Sequence, residues 1–170
     1  FAVMLPDDVI AGEPPCLKQM VEAYEETGGS MVAAMEVSPE KTSSYGVLDV
    51  ASEDGRVVKV KGMVEKPAEG TAPSNLAVIG RYILTPDVLR NISKVKEGAG
   101  GEVQLTDAIA AEITQGRDVY GYRFQGHRYD CGSKQGYLQA TVAFALAHPE
   151  LKDEFGDFMH EMTSMRNAAQ

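Results

Sequence analysis

The sequence predicts an α/β fold, and three adjacent segments carry that expectation. Residues 1–5 read FAVML, a continuous apolar run of the kind found in strands buried on both faces of a helix-covered sheet. Leu17, Met20, Val21 and Tyr24 then recur at i, i+3, i+4 and i+7, the spacing of an amphipathic helix. Gly28 and Gly29 end it. SMVAAMEV, residues 30–37, reads as a second buried strand. Strand, helix and strand in this order make a βαβ crossover.

The polar, Pro-rich stretch LPDDVIAGEPP after the first strand is expected to be a loop. Residues 45–51 and 56–61 are strand-like, and Ser52–Gly55 between them signals a hairpin. A loop rich in Pro, Gly and Ala covers 67–73, and LAVIGRYIL (76–84) is another strand. Pro86 opens a short helix to Ile92, since proline suits the first helical turn. KEGAGGE (96–102) reads as a flexible loop, and the helix after it runs to about Thr114. In the strand 118–124, Tyr120, Tyr122 and Phe124 share one side by alternation. Ser133 caps a helix whose apolar stripe is Tyr137, Leu138, Val142, Ala145 and Leu146. Pro149 divides it from a last amphipathic helix with Leu151, Phe155, Phe158 and Met159, and residues 163–170 are expected to fray. The expected division is a main domain over 1–148 and a C-terminal helix with its tail over 149–170.

Composition narrows the function classes. With 170 residues, 44% of them apolar, the chain suffices for one domain with a real core. No apolar run approaches the roughly 20 residues of a membrane-spanning helix. A formal net charge of −9 argues against nucleic acid and anionic membranes as partners, because the field repels polyanions. A few local cations can still hold a small phosphorylated ligand. Cys16 and Cys131, with no CxxC and no metal-ligand cluster, suit a reducing cytoplasm better than a disulfide framework. A domain rarely opens on its most buried strand, so sequence N-terminal to Phe1 is expected.

Four segments offer chemistry, each with a plainer reading beside it. In Leu5-Pro6-Asp7-Asp8, a carboxylate follows a buried strand, where open α/β sheets bind ligands and where Mg²⁺ finds a hard oxygen donor; Asp and Pro are also ordinary turn residues. In Val64-Glu65-Lys66-Pro67, the proline should pin Lys66 to an extended backbone and so aim its ammonium, a point charge for a phosphate. Read plainly, Glu65 and Lys66 are a solvated pair worth little. In Ser44-Tyr45-Gly46-Val47, a glycine at a strand start marks either a close ligand approach or a bulge or turn exit. In Tyr129-Asp130-Cys131-Gly132, Asp130 is either a second metal contact before a helix start or a local cap. Cys131 has no His–Asn or His–Asp partner by spacing, which disfavours a nucleophile.

Taken together and in order, FAVMLPDD, SYGVLDV, GMVEKP, SNLAVIGRYIL, GAGGEVQLTDAI and YDCGSKQGYLQA resemble the bacterial UTP–glucose-1-phosphate uridylyltransferases of the sugar-nucleotide pyrophosphorylase superfamily. The likeness covers residues 1–162. It implies a Rossmann-like, mixed and mostly parallel sheet flanked by helices, lacking its N-terminal strands. It also implies Mg²⁺ on Asp7 and Asp130, and a backbone contact from Gly46 to the sugar. Glu65 would bond glucose hydroxyls, Lys66 would neutralise the sugar phosphate, and Val78 would touch the sugar through its backbone. Tyr45 and Asn75 would support that wall. The implied substrates are UTP and glucose 1-phosphate, the products UDP-glucose and pyrophosphate, and the assembly a homodimer or homotetramer in the cytoplasm. The family's Gly-rich nucleotide loop does not occur in these residues, so this segment alone is expected to be inactive. Two alternatives are a glucose-1-phosphate thymidylyltransferase and a non-catalytic regulatory homologue; intact Asp7, Lys66 and Asp130 weigh against the second.

Overall fold

The structure is a computed structural model that describes residues 1–94 and 103–168. The glycine-rich stretch expected to be a loop at 96–102 lies outside the described residues. By contacts the chain forms two compact units, Phe1–His127 and Arg128 onward.

Six strands of the first unit make one sheet. They are β1 (Ala2–Met4), β3 (Ser30–Glu36), β4 (Gly46–Asp54), β5 (Val57–Glu65), β6 (Leu76–Ile83) and β7 (Val119–Arg123). Their order is β1-β6-β3-β7-β5-β4, and a further pairing of β4 with β6 closes the last five into a small barrel-like ring. β2 (Asp8–Ala11) is a short strand within the stretch that the sequence assigned to a loop. The α-helices among the described residues of this unit are α1 (Cys16–Thr27), α2 (Pro86–Ile92) and α3 (Leu105–Thr114).

The sheet is mixed but mostly antiparallel, which corrects the expectation of a mostly parallel one. Only β3 and β7 run parallel; β1–β6, β3–β6, β4–β5, β4–β6 and β5–β7 are antiparallel. Connection length accounts for the β4–β5 pairing, since parallel neighbours need a crossover of about a dozen residues or more. Gly55 and Arg56 alone separate β4 from β5, and Gly55, at φ +57°, supplies the left-handed turn residue that a two-residue hairpin favours. The crossover read from α1 survives in altered form. β1 and β3 are both antiparallel to β6, hence parallel to each other, and β6 lies between them.

The buried-strand expectation for residues 30–37 holds over Ser30–Ala34, with Glu36 exposed, and FAVML is not buried on both faces. β3 is buried on both faces: Val32 and Ala34 face a cluster with Leu48, Val78 and Ile109, while Met31 and Ala33 face Met20, Ile79 and Ile83. β1 is an edge strand whose only described partner is β6, and Phe1, Met4 and Leu5 are 49%, 59% and 40% exposed. An apolar run shows that a strand has burial potential, not that two neighbours cover it.

α1 buries Cys16, Met20 and Ala23, while Val21 of the expected stripe is exposed. It ends at Gly28, left-handed at φ 74°, whose N–H donates to the Tyr24 carbonyl. Burial pushes the Cys16 thiol up to about 11, with Arg81 acting weakly in the other direction, so it is an inert packing group. Tyr120, Tyr122 and Phe124 pack on the α1 side, as their alternation predicts. Glu112 of α3 is buried yet satisfied, accepting from Ser30 Oγ at 2.5 Å and Thr85 Oγ1 at 2.7 Å, with Arg117 Nε at 3.4 Å.

In the second unit, α4 (Lys134–Ala147) begins at the expected cap, where Ser133 Oγ accepts the Gly136 N–H at 3.0 Å. Tyr137, Leu138 and Leu146 of its predicted stripe are exposed. α5 (Lys152–Ala168) stays helical through the residues expected to fray, up to Ala168. No helix among the described residues is long and apolar enough to cross a membrane.

Leu48 is fully buried and its Cδ1 occupies the space a side chain on Gly121 would need. Leu48→Ala should destabilise the chain by about 2–5 kcal/mol through lost burial and the cavity left behind. Urea unfolding with an unchanged slope would measure it. A midpoint equal to the parent's would show that this layer is not the core of the unit.

Candidate active site

The hairpin and the ring closure build one cluster from three distant segments. Gly46 stands opposite Glu65 in the β4–β5 register, and Val47 pairs with Ala77 of β6, which brings Val78 alongside. A Cβ added at Gly46 would lie 2.9 Å from Thr106 Cγ2, 3.0 Å from Glu65 Oε2 and 3.7 Å from Val78 Cγ2. Glycine is needed here by space, not by backbone conformation. Thr106 Oγ1 donates to Glu65 Oε2 at 2.8 Å, which fixes one oxygen of that half-buried carboxylate. Gly46, Glu65 and Val78, singled out from the sequence, therefore meet. Thr106, in the first turn of α3, was not singled out; its only sequence signal is its place within GAGGEVQLTDAI.

Lys66 follows directly on β5 and is exposed. Its backbone corrects the sequence expectation: φ is +44°, and Lys66 is the one non-glycine residue with positive φ among the described residues. The pre-proline preference for extended backbone is overridden by tertiary contacts. Lys66 N–H donates to the Tyr45 carbonyl at 3.0 Å, and Pro67 is buried behind it. Tyr45, half-buried, thus supports the Lys66 backbone. Asn75 is exposed just before β6, its carbonyl accepting the Val37 N–H at 2.9 Å.

Asp7 is exposed in the turn between β1 and β2. Tyr82 of β6 reports on its surroundings. Burial first, then the charges of Asp8, Glu65 and Asp7, push the phenol up to about 12. Asp7, Asp8 and Glu65 therefore act on one phenol, in a unit whose Lys66 is the next residue after Glu65. Asp130 ends the strand β8 (His127–Asp130) and belongs to the second unit. There its Oδ1 accepts the Gly132 N–H at 3.2 Å and lies 3.9 Å from Arg128 Nη2, while its carbonyl accepts from Ser133 N and Oγ. Cys131 beside it is a free, half-buried thiol.

The exposed Asp7 carboxylate is a hard oxygen donor of the type divalent cations take. Magnesium takes one or two carboxylates and completes its shell with phosphates and water. No group of three or more His, Cys, Asp or Glu that could hold a metal by itself occurs among the described residues.

Tyr82 gives a pH test of its buried setting, to which the neighbouring carboxylates add. Its folded pKa exceeds the unfolded value, so its contribution is complete below about pH 10 and is lost as pH rises toward about 12. Tyr82→Phe should flatten the fall in urea stability across that window. Equal alkaline losses in the two proteins would rule out a raised phenol pKa at Tyr82.

The nucleotidyl transferase family model matches residues 1–146. A UTP–glucose-1-phosphate uridylyltransferase of Staphylococcus haemolyticus (strain JCSC1435) is 48% identical over 162 residues, 95% of this chain and 56% of that protein. One from Komagataeibacter xylinus is 55% identical over 134 residues, 79% of this chain and 47% of that protein. A solved UDP-glucose pyrophosphorylase in complex with UDP-glucose superposes with a TM-score of 0.82 at 45% identity, covering 87% of this chain and 56% of the other. A UTP-bound enzyme from Acinetobacter baumannii gives 0.81 at 37% identity, covering 95% and 56%. The chain spans about half the length of the curated relatives it matches. On the family match and on identities of this size, the chain belongs to the nucleotidyl transferase family.

Proposed function

We propose that the protein transfers a uridylyl group from UTP to glucose 1-phosphate, giving UDP-glucose and pyrophosphate, and that this segment binds the sugar phosphate. The carrying observation is the cluster of Gly46, Glu65, Val78 and Thr106 with Lys66 at its border. The names of the relatives, and the UDP-glucose and UTP bound to the solved ones, support the choice of substrates.

Both substrates are anions, so the barrier lies first in bringing negative charges together. An oxygen of the sugar phosphate attacks the α-phosphorus of UTP; the bond from that phosphorus to the bridging oxygen breaks, and pyrophosphate leaves with its electron pair. No protein nucleophile is required. Glu65 accepts from sugar hydroxyls with the oxygen geometry set by Thr106, while Gly46 contacts the sugar through its backbone. Val78 contacts it through the main chain, with Tyr45 and Asn75 behind. Lys66 neutralises the sugar phosphate, the positioning and electrostatic terms that dominate phosphoryl chemistry. Asp7 would offer its carboxylate to Mg²⁺, which when bound supplies positive charge and alignment for the phosphates.

Lys66→Ala and Asp7→Ala, made in protein carrying the complete nucleotidyltransferase domain, should each lower kcat/KM for UDP-glucose synthesis about 100-fold or more, the scale of one lost transition-state contact. Parent protein that makes no UDP-glucose from UTP, glucose 1-phosphate and Mg²⁺ would falsify the reading. The 170-residue chain should also gain thermal stability from glucose 1-phosphate by mass action, and Lys66→Ala should lose that gain.

A further inference from the structure

Two adjacent aspartates follow β1, and their surroundings differ. Asp8 is 6% exposed, and its Oδ2 accepts the Gly80 N–H at 2.7 Å. Asp7 is exposed, and its side chain enters no hydrogen bond or ion pair among the described residues. A clamp from β6 closes over both. Leu5 N–H donates to the Gly80 carbonyl at 2.9 Å, Arg81 Nη1 donates to the Leu5 carbonyl at 3.0 Å and to the Gly80 carbonyl at 2.8 Å, and Arg81 Nη2 donates to the Asp8 carbonyl. The approach needs glycine at position 80: a Cβ there would lie 2.7 Å from Asp8 Oδ2 and 2.7 Å from Leu5 Cβ.

We propose that Asp8 is a positioning residue: with Gly80 and Arg81 it locks the turn from Leu5 to Asp8 to β6, so that the Asp7 carboxylate is presented at a fixed place for a divalent cation. The inference rests on the reading of Asp7 as a metal-holding residue. It divides the labour of an Asp-Asp pair that composition leaves equivalent. A turn residue held only by its own backbone samples several conformations, and each unproductive one lowers the apparent affinity for the ion. Anchors on both sides of Asp7 remove that penalty before the ion arrives.

The test uses Asp8→Ala, Asp8→Asn, Arg81→Met and Asp7→Asn in protein carrying the complete nucleotidyltransferase domain. Three quantities are read: amide hydrogen exchange of residues 5–9 without metal, Mn²⁺ affinity from water-proton relaxation, and KM for glucose 1-phosphate. Losing a hydrogen bond to a charged group should be felt about tenfold or more. Asp8→Ala and Arg81→Met should therefore exchange at least about tenfold faster over residues 5–9 and bind Mn²⁺ about tenfold more weakly, with KM for glucose 1-phosphate within about twofold. Asp8→Asn keeps an oxygen for the Gly80 N–H and should recover most of the Mn²⁺ affinity. If Asp8→Ala does not fold, Arg81→Met decides, because Arg81 is only half-buried. Unchanged Mn²⁺ affinity in Arg81→Met or Asp8→Ala, alongside lost affinity in Asp7→Asn, overturns the clamp and leaves the Asp7 assignment standing. Undiminished affinity in Asp7→Asn overturns the assignment itself, and this inference with it.

Discussion

The pairing of Val47 with Ala77 is the constraint on which the candidate site depends. Without it β4 would be the last strand of an open sheet. With it the five strands close, and residues from positions 46, 65 and 78 become neighbours although long stretches of chain separate them. Closure also leaves β4 with partners on both sides near its start, so the backbone at Gly46 is held from both edges. A surface that must recognise a small polar ligand needs this stiffness, because each freely moving wall residue would have to be ordered on binding.

Much of this fold was legible in the sequence because apolar periodicity records burial. β3, β6, α1, α2 and α3 fall within a residue or two of where pattern and punctuation place them. Neighbour relations were not legible. Strand direction follows from how many residues connect two strands and where the chain turns back, and a buried run reads alike in either direction. FAVML illustrates the point: its apolar character was read correctly, while its place at an edge depends on which other strands lie beside it.

The site was legible in part for a related reason. Gly46, Glu65 and Lys66 stand at strand ends, where residue type and position together suggest a role. Thr106 lies inside a helix turn and acts by reaching a carboxylate 41 residues away, which no local pattern encodes. The Asp7–Asp8 pair is harder still. The two side chains are chemically identical, and only the geometry of Gly80 and Arg81 separates the engaged one from the open one.

Lys66 shows how local preference yields to the fold. A left-handed backbone at a non-glycine residue costs on the order of 1–3 kcal/mol, and a following proline disfavours helical backbone further. Glycine would relieve that strain without disturbing the Tyr45 hydrogen bond, since its N–H is the same donor. What glycine lacks is the ammonium. In a chain with a net charge of −9, an anionic ligand must be held by a cation placed close to it, because the average field repels it. Lysine also has a long, freely rotating stem, and ordering that stem on binding costs up to about 2 kcal/mol. Fixing the first bond of the stem, by a hydrogen bond in front and a buried proline behind, narrows where the charge can go. On the proposed reading of the site, the strain at Lys66 is the local cost of holding a positive charge at the edge of the Gly46–Glu65 cluster.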